Sequence, residues 1–288
     1  TEAKYRAVVE HSPAITYTAA TDEPKTLLFI SPQVKSLLGY TQKEYLAEPN
    51  LWGKTLHPDD RERVLEEVKA LYERGEPFIS EYRNIAGDGR SVWFHDEAVV
   101  FEDRATGRRF IQGIKVDITQ RMQAEALQAA IYQIGDAASA SSNMDELYAS
   151  IHRALQGVIV ADNFFIALYD READVLSFPY YVDEYDLPPE PTPLGQGLTA
   201  YVIRKGVPLL GRPDSIQRLE DAGEVISTGT RSIDWLGVPL KVKNETFGAM
   251  AVQTYAEGIR YSQRDLDILG FVSTQVALSI ERKRSEEH

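Results

Sequence analysis

Residues 177–191 read SFPYYVDEYDLPPEP and hold three tyrosines, four acids and four prolines. Tyr180, Tyr181 and Tyr185 are aromatic walls in search of something to enclose. Asp183, Glu184 and Asp186 are carboxylates able to hold a cation or a polar ligand. A strand pattern runs into Pro188, Pro189 and Pro191, which cannot donate to a sheet ladder, so the sheet must release the chain there. A binding site, a lid and a plain solvated loop all fit this composition. A hydrolase built on Asp183 and Glu184 is a weaker possibility, because no base–nucleophile pair or metal set accompanies them.

Other groups with chemical potential are sparse. Asp234-Trp235 opens a strand pattern, and a buried indole needs a partner for its N–H or serves as core. His95-Asp96 has the form of a metal-binding pair but lacks the further ligands such a site needs. His57 precedes Pro58 and reads as a helix-start residue. His152 lies beside Arg153, and its flanks support neither haem ligation nor phosphoacceptor chemistry. The 288 residues include no cysteine. Disulfides, thiolate nucleophiles and cysteine-ligated zinc or iron–sulfur sites are therefore excluded.

These groups must be positioned by ordered domains. A 43% hydrophobic share is enough for proper cores. A net charge of −13 argues against nucleic acid and anionic membrane as partners. No apolar run approaches the roughly 18 residues of a membrane span, and no secretory h-region opens the chain, so a cytoplasmic location is expected. The chain opens without Met, which suggests a fragment.

Three regions separate, at 1–117, 118–142 and 143–288. The first begins with a short helix pattern. Two strands follow around the turn signal TDEPK (21–25), then helices, then three strands joined by GDGR and RATGR. Pro58 with Asp59 and Asp60 starts a helix, and Gly75 ends it. In the second region Ala124, Leu127, Ile131, Ile134, Ala138 and Ser141 recur at spacings of three and four. This predicts either a coiled-coil seam joining two chains in a homodimer or a helix packed on its own domain. Asp117 with Gln120, and Asn143 with Glu146, are capping-box signatures. The third region predicts a helix, the strand pair NFFIALYD and VLSFPYYV, and a helix in GLTAYVIRKG. After these come a strand in VPLLG, a helix in SIQRLEDAG, a hairpin through KNE and a long closing helix. The fold class is α+β: two domains, each a central antiparallel sheet flanked by helices, joined by a helical linker.

LLGYTQKEYL, LHPDDRERV, GDGRSVWF and the closing DITQR resemble a PAS domain, in PAS order, over residues 5–120. FFIALYD, SFPYYVDEYD, GQGLTAYVIRKG, SIDWLGVPLK and FVSTQVALSIERKR resemble a GAF domain of bacterial multi-sensor proteins, over residues 145–283. Together they span most of the chain. The resemblance implies a sensory input region that binds a small molecule or partner and relays the change through helices. Its output would be a histidine kinase of a two-component system or a diguanylate cyclase. No such output is legible here: there is no phosphoacceptor helix, Gly-rich ATP lid or GGDEF string, so the chain itself is expected not to be an enzyme. The unfinished IERKRSEEH looks like a point of truncation.

The resemblance also places ligand candidates. In the GAF half they are Tyr180, Tyr181, Asp183, Tyr185, Asp234 and Trp235, near the cavity. In the PAS half they are Tyr17, Phe29, Tyr40, Trp52, Phe78 and Tyr82. No cofactor is expected. Flavin adducts, covalent bilins and the sulfoxide-reducing GAF enzymes need a cysteine. Haem-binding PAS domains usually carry a histidine on the helix that here spans 61–74, where there is none. A ligand-free module that only dimerises and relays remains the alternative.

Overall fold

A computed structural model of the chain describes residues 12–21 and 26–287. The expected opening helix pattern, and most of the TDEPK turn, lie outside the described residues. The chain divides into two compact units, Thr1–Gln123 and Ala124–His288.

The first unit is a five-stranded antiparallel sheet of β1 (Ile15–Ala20), β2 (Leu27–Ile30), β3 (Phe78–Ile85), β4 (Ser91–Glu102) and β5 (Arg109–Asp117), ordered β2-β1-β5-β4-β3. Between β2 and β3 the chain makes α1 (Gln33–Leu38), α2 (Gln42–Ala47), α3 (Leu51–Thr55) and α4 (Pro58–Arg74). Alternation puts Phe78, Tyr82, Val92, Phe94, Ala98 and Ile111 on one sheet face, where Val34, Leu38, Tyr45, Leu56, Val64 and Leu71 from the helical segment cover them. HPDD turns out to be an anchor. His57 Nδ1 accepts from Asp59 N at the helix start, and Asp60 accepts from Arg83 N, Nε and Nη2 at 2.8–2.9 Å. Arg83 beside it holds the Asp60 carboxyl below its ordinary range.

The second unit repeats the strand order with β6 (Asn163–Asp170), β7 (Val175–Val182), β8 (Leu209–Gly211), β9 (Asp234–Val242) and β10 (Glu245–Thr254): β7-β6-β10-β9-β8, all antiparallel. Its central strands are buried on both faces, which is why DWLGVPL and FGAMAVQT read as nearly unbroken apolar runs. One face packs on α5 (Thr119–Ala140), α6 (Met144–Gln156) and α9 (Gln263–Glu287); the other meets α7 (Leu198–Lys205). α8 (Pro213–Asp221) follows β8. Lys243 and Asn244 both take positive φ, the two-residue turn that suits a twisted hairpin. Pro239 is tolerated in β9 because β8 pairs only as far as Gly237.

The spacing in 124–141 is filled from within the chain. Ile134 and Ala138 are buried in the second unit's core with Val276 and Ile280 of α9, and Leu127 and Ile131 pack against that core. Ser279 Oγ donates to Ile134 O, and Lys283 Nζ to Ser141 O. From Ala124 onward the expected linker belongs to the second unit. At its start Thr119 N donates to Asp117 Oδ1 at 2.8 Å.

Candidate functional site

Each unit keeps a chamber on one face of its sheet. The first, of about 420 Å3, lies between the inner sheet face and the helices α1–α4, with Tyr17, Tyr45, Trp52, Phe78, Asp96 and Lys115 in its walls. Its polar side is one connected network. Trp52 Nε1 donates to Tyr82 Oη, Tyr82 Oη to Asp96 Oδ2, and Tyr17 Oη to Asp96 Oδ1, at 3.0, 2.5 and 3.0 Å. Lys115 Nζ donates to Asn84 Oδ1 at 2.9 Å, Asn84 Nδ2 to Thr55 Oγ1, and Thr55 Oγ1 to Trp52 O. Asp96 and Lys115 face each other across β4 and β5. Burial raises the Asp96 carboxyl, opposed by the Lys115 charge, and burial lowers the Lys115 ammonium to about 8. The Tyr17 and Tyr82 phenols are pushed well above their ordinary range, first by burial and then by Asp96.

Of the expected residues here, Tyr17, Trp52 and Phe78 line the chamber, and Tyr82 stands behind Trp52 and Asp96. Tyr40 lies outside the lining, over Gly87 and edge-on to Tyr45. Phe29 lies on the outer face opposite Thr18 and is 42% exposed. Asp96, Lys115 and Tyr45 were missed. Strand parity could have found the first two: Asp96 shares the inward parity of Phe94 and Ala98, and Lys115 that of Ile111 and Gly113. A charge at a core-parity position is a signal in itself.

The second chamber, of about 750 Å3, is walled by Phe165, Phe178, Tyr181 and Trp235, the start of α7 and the 227–233 segment. A bulge decides which tyrosine faces it. Pairing runs Ile166 to Tyr180 but Leu168 to Ser177, so one extra residue enters β7 around Pro179. Tyr181 joins Phe178 and Leu176 on the chamber face. Tyr180 turns to the opposite face, where its hydroxyl meets His152 Nδ1 at 2.9 Å. Trp235 lines the chamber with its ring folded over Gly237. Asp234 is fully buried away from the lining, accepting from Arg260 Nε and Nη2 and from Tyr261 N. Asp183 binds the Tyr185 and Asp186 amides, Gln253 and Tyr255. Glu184 pairs with Asn163, and Tyr185 packs edge-on to Tyr255. Asp183, Glu184 and Asp186 are thus spent on local structure. Asp186 alone of them lines the chamber, and it holds Thr230 N and Oγ1 at 2.9 and 2.8 Å.

His95 lies between Glu81 and Glu97, whose carboxylates raise it. Among the described residues no group of three or more potential ligands is placed to hold a metal ion. No described helix is long and apolar enough to cross a membrane.

Both sheets thus carry the strand order and the one-faced chamber. The PAS fold family matches residues 27–115, and the GAF domain family matches 141–281. The chain carries a PAS domain followed by a GAF domain. The chain is 34% identical over 95 residues to sensor protein FixL of Bradyrhizobium diazoefficiens, a match covering 33% of this chain and 19% of that protein. A methyl sulfide methyltransferase-associated sensor of Methanosarcina acetivorans is 29% identical over 120 residues, 41% of this chain and 12% of the relative. The chain therefore spans less than a fifth of either curated relative. Among solved structures, the N-terminal domain of a diguanylate cyclase with PAS/PAC sensor from Marinobacter aquaeolei is 27% identical, with a TM-score of 0.34, covering 38% of this chain and 97% of that one.

Proposed function

We propose that this PAS–GAF pair is a sensory input module of a cytoplasmic signalling protein, binding a small molecule and relaying the change through helices to an output such as a histidine kinase or diguanylate cyclase. The chambers carry the reading. Protein interiors close-pack with few voids larger than a water molecule, yet these domains leave about 420 and 750 Å3, within the span of small-molecule sites. The two named relatives are themselves sensors, which supports the same class. α5 and α9 are the elements suited to relay, because α5 follows directly from β5 of the PAS sheet and packs beside α9 in the GAF core.

Native mass spectrometry of the full chain, after incubation with a metabolite extract and buffer exchange, tests this. A retained non-covalent mass, lost on collisional activation, is the expected result. Bare protein at every extract concentration would replace the reading with a ligand-free dimerisation and relay module.

A further inference from the structure

The PAS chamber is apolar over most of its wall, and its polar side is not fully satisfied. Tyr45 lines it and is 4% exposed, yet its hydroxyl closes no hydrogen bond. A buried hydroxyl without a partner carries the full cost of its lost hydration. Lys115 is equally buried and has three donors. One reaches Asn84. The ammonium also lies over the faces of Tyr82 and Phe94, at 5.0 and 4.6 Å to the ring centres, and Asp96 faces it across β4 and β5. Both groups line the same chamber. Asp96 attracts Lys115 across the β4–β5 ladder by charge, while its oxygens accept from Tyr17 and Tyr82.

We propose that the PAS chamber binds a neutral, largely apolar molecule whose terminal oxygen acceptor, a carbonyl above all, reaches Lys115 and Tyr45. The size follows from the volume: at ~30 Å3 per water-sized atom, 420 Å3 holds roughly a dozen non-hydrogen atoms. Neutrality follows from charge. Lys115 and Asp96 carry opposite signs in the wall, and Glu48 and Lys69, also in the lining, cancel likewise. A carboxylate would leave one uncompensated charge in an apolar enclosure, and an amine would meet Lys115 as a like charge. The acceptor follows from the donors, since a hydrocarbon leaves both unmet.

The inference rests on the sensory reading above but fails separately from it. Isothermal titration of the full chain with benzylacetone, butylbenzene and hydrocinnamate compares one aromatic body carrying a ketone, no polar group and a carboxylate. At pH 7 benzylacetone should bind roughly tenfold more tightly than butylbenzene, the scale of a hydrogen bond to a charged group, and more tightly than hydrocinnamate. Lys115→Met should erase the ketone's advantage while butylbenzene still binds. Tyr45→Phe, which deletes a hydroxyl with no partner and so keeps the fold, should weaken the ketone by about threefold. Equal binding of ketone and hydrocarbon overturns the acceptor while leaving a small-molecule site. Tighter binding of hydrocinnamate overturns neutrality. Failure of all three to bind, together with bare protein in native mass spectrometry, removes both the inference and the sensory reading.

Discussion

At the scale of single residues, each chamber depends on an aromatic ring lying flat on a glycine. A Cβ at Gly113 would fall 2.2–2.5 Å from Tyr17 ring and hydroxyl atoms, and one at Gly237 would fall 2.1–2.9 Å from the Trp235 ring. Gly113→Ala should therefore push Tyr17 off Asp96 and cost about 1–3 kcal/mol, the usual scale of overpacking, measured as a lower urea midpoint. Tyr17→Phe is the control, since it removes only the hydroxyl. Lys115 makes a second prediction, in pH. The groups facing it are Asp96 from β4, Tyr82 and Asn84 from β3, and Phe94; Tyr17 of β1 reaches the same carboxylate. Its folded value of about 8 lies below the ordinary 10.5, so between these the unfolded chain binds more protons than the folded one. Stability must then rise with pH through that window, by about 3 kcal/mol at most. The raised tyrosines oppose it only above their ordinary value near 10. Subtracting the urea profile of Lys115→Met from that of the natural chain between pH 7 and 10 should leave this rise; a flat difference would contradict it.

Elements explain where sequence reading reached and where it stopped. β6, β7, β9 and β10 are legible as strands because apolar runs end at turn residues, and α4 and α7 because a glycine with positive φ stops each. The sides that residues face are less legible. Tyr180 and Tyr181 look like a single aromatic wall, but neighbours on a strand face opposite ways, and one extra residue at Pro179 gives the chamber side to Tyr181 instead of Tyr180. Ile134 and Ala138 have the spacing of an intermolecular seam, yet the same spacing serves a helix bedded on its own sheet, and periodicity cannot separate the two. Ile134→Ala should accordingly destabilise the GAF unit by about 2–5 kcal/mol as a core cavity, whatever the oligomeric state. The 183–191 run reads as a binding site, a lid or a solvated loop, and Asp186 ties it to Thr230 beside the chamber. In Asp186→Ala, hydrogen exchange should quicken at the Thr230 amide and its neighbours while Ile166 in the sheet keeps its protection. Unchanged exchange at Thr230 would mean that the tie does not hold the segment.

At the scale of the whole molecule, the surface left by α5 and α9 bears on assembly. Gly135 of α5 and Gln275 of α9 are in contact. One turn from Gly135 stands Tyr132, 74% exposed; one turn on either side of Gln275 stand Phe271 and Leu278, 62% and 48% exposed. Large apolar side chains gathered on one two-helix face are costly in water and are characteristic of a surface that pairs. We propose that two chains associate in parallel through this face, with Tyr132 meeting its own copy. Such a homodimer would use the outward side of α5, because the inward side, Ile134 and Ala138, is taken by the GAF core. The absence of cysteine makes the test clean. Tyr132→Cys should form an intermolecular disulfide on mild oxidation, since symmetry brings the two thiols within the roughly 4.4–6.8 Å Cα separation that a disulfide requires. Ile134→Cys, pointing into its own domain, should stay monomeric on non-reducing gels. Leu278→Asp should shift the chain toward monomer in sedimentation velocity by placing like charges at the contact. Equal cross-linking at 132 and 134, or a monomeric natural chain at every concentration, would leave this face to some other partner.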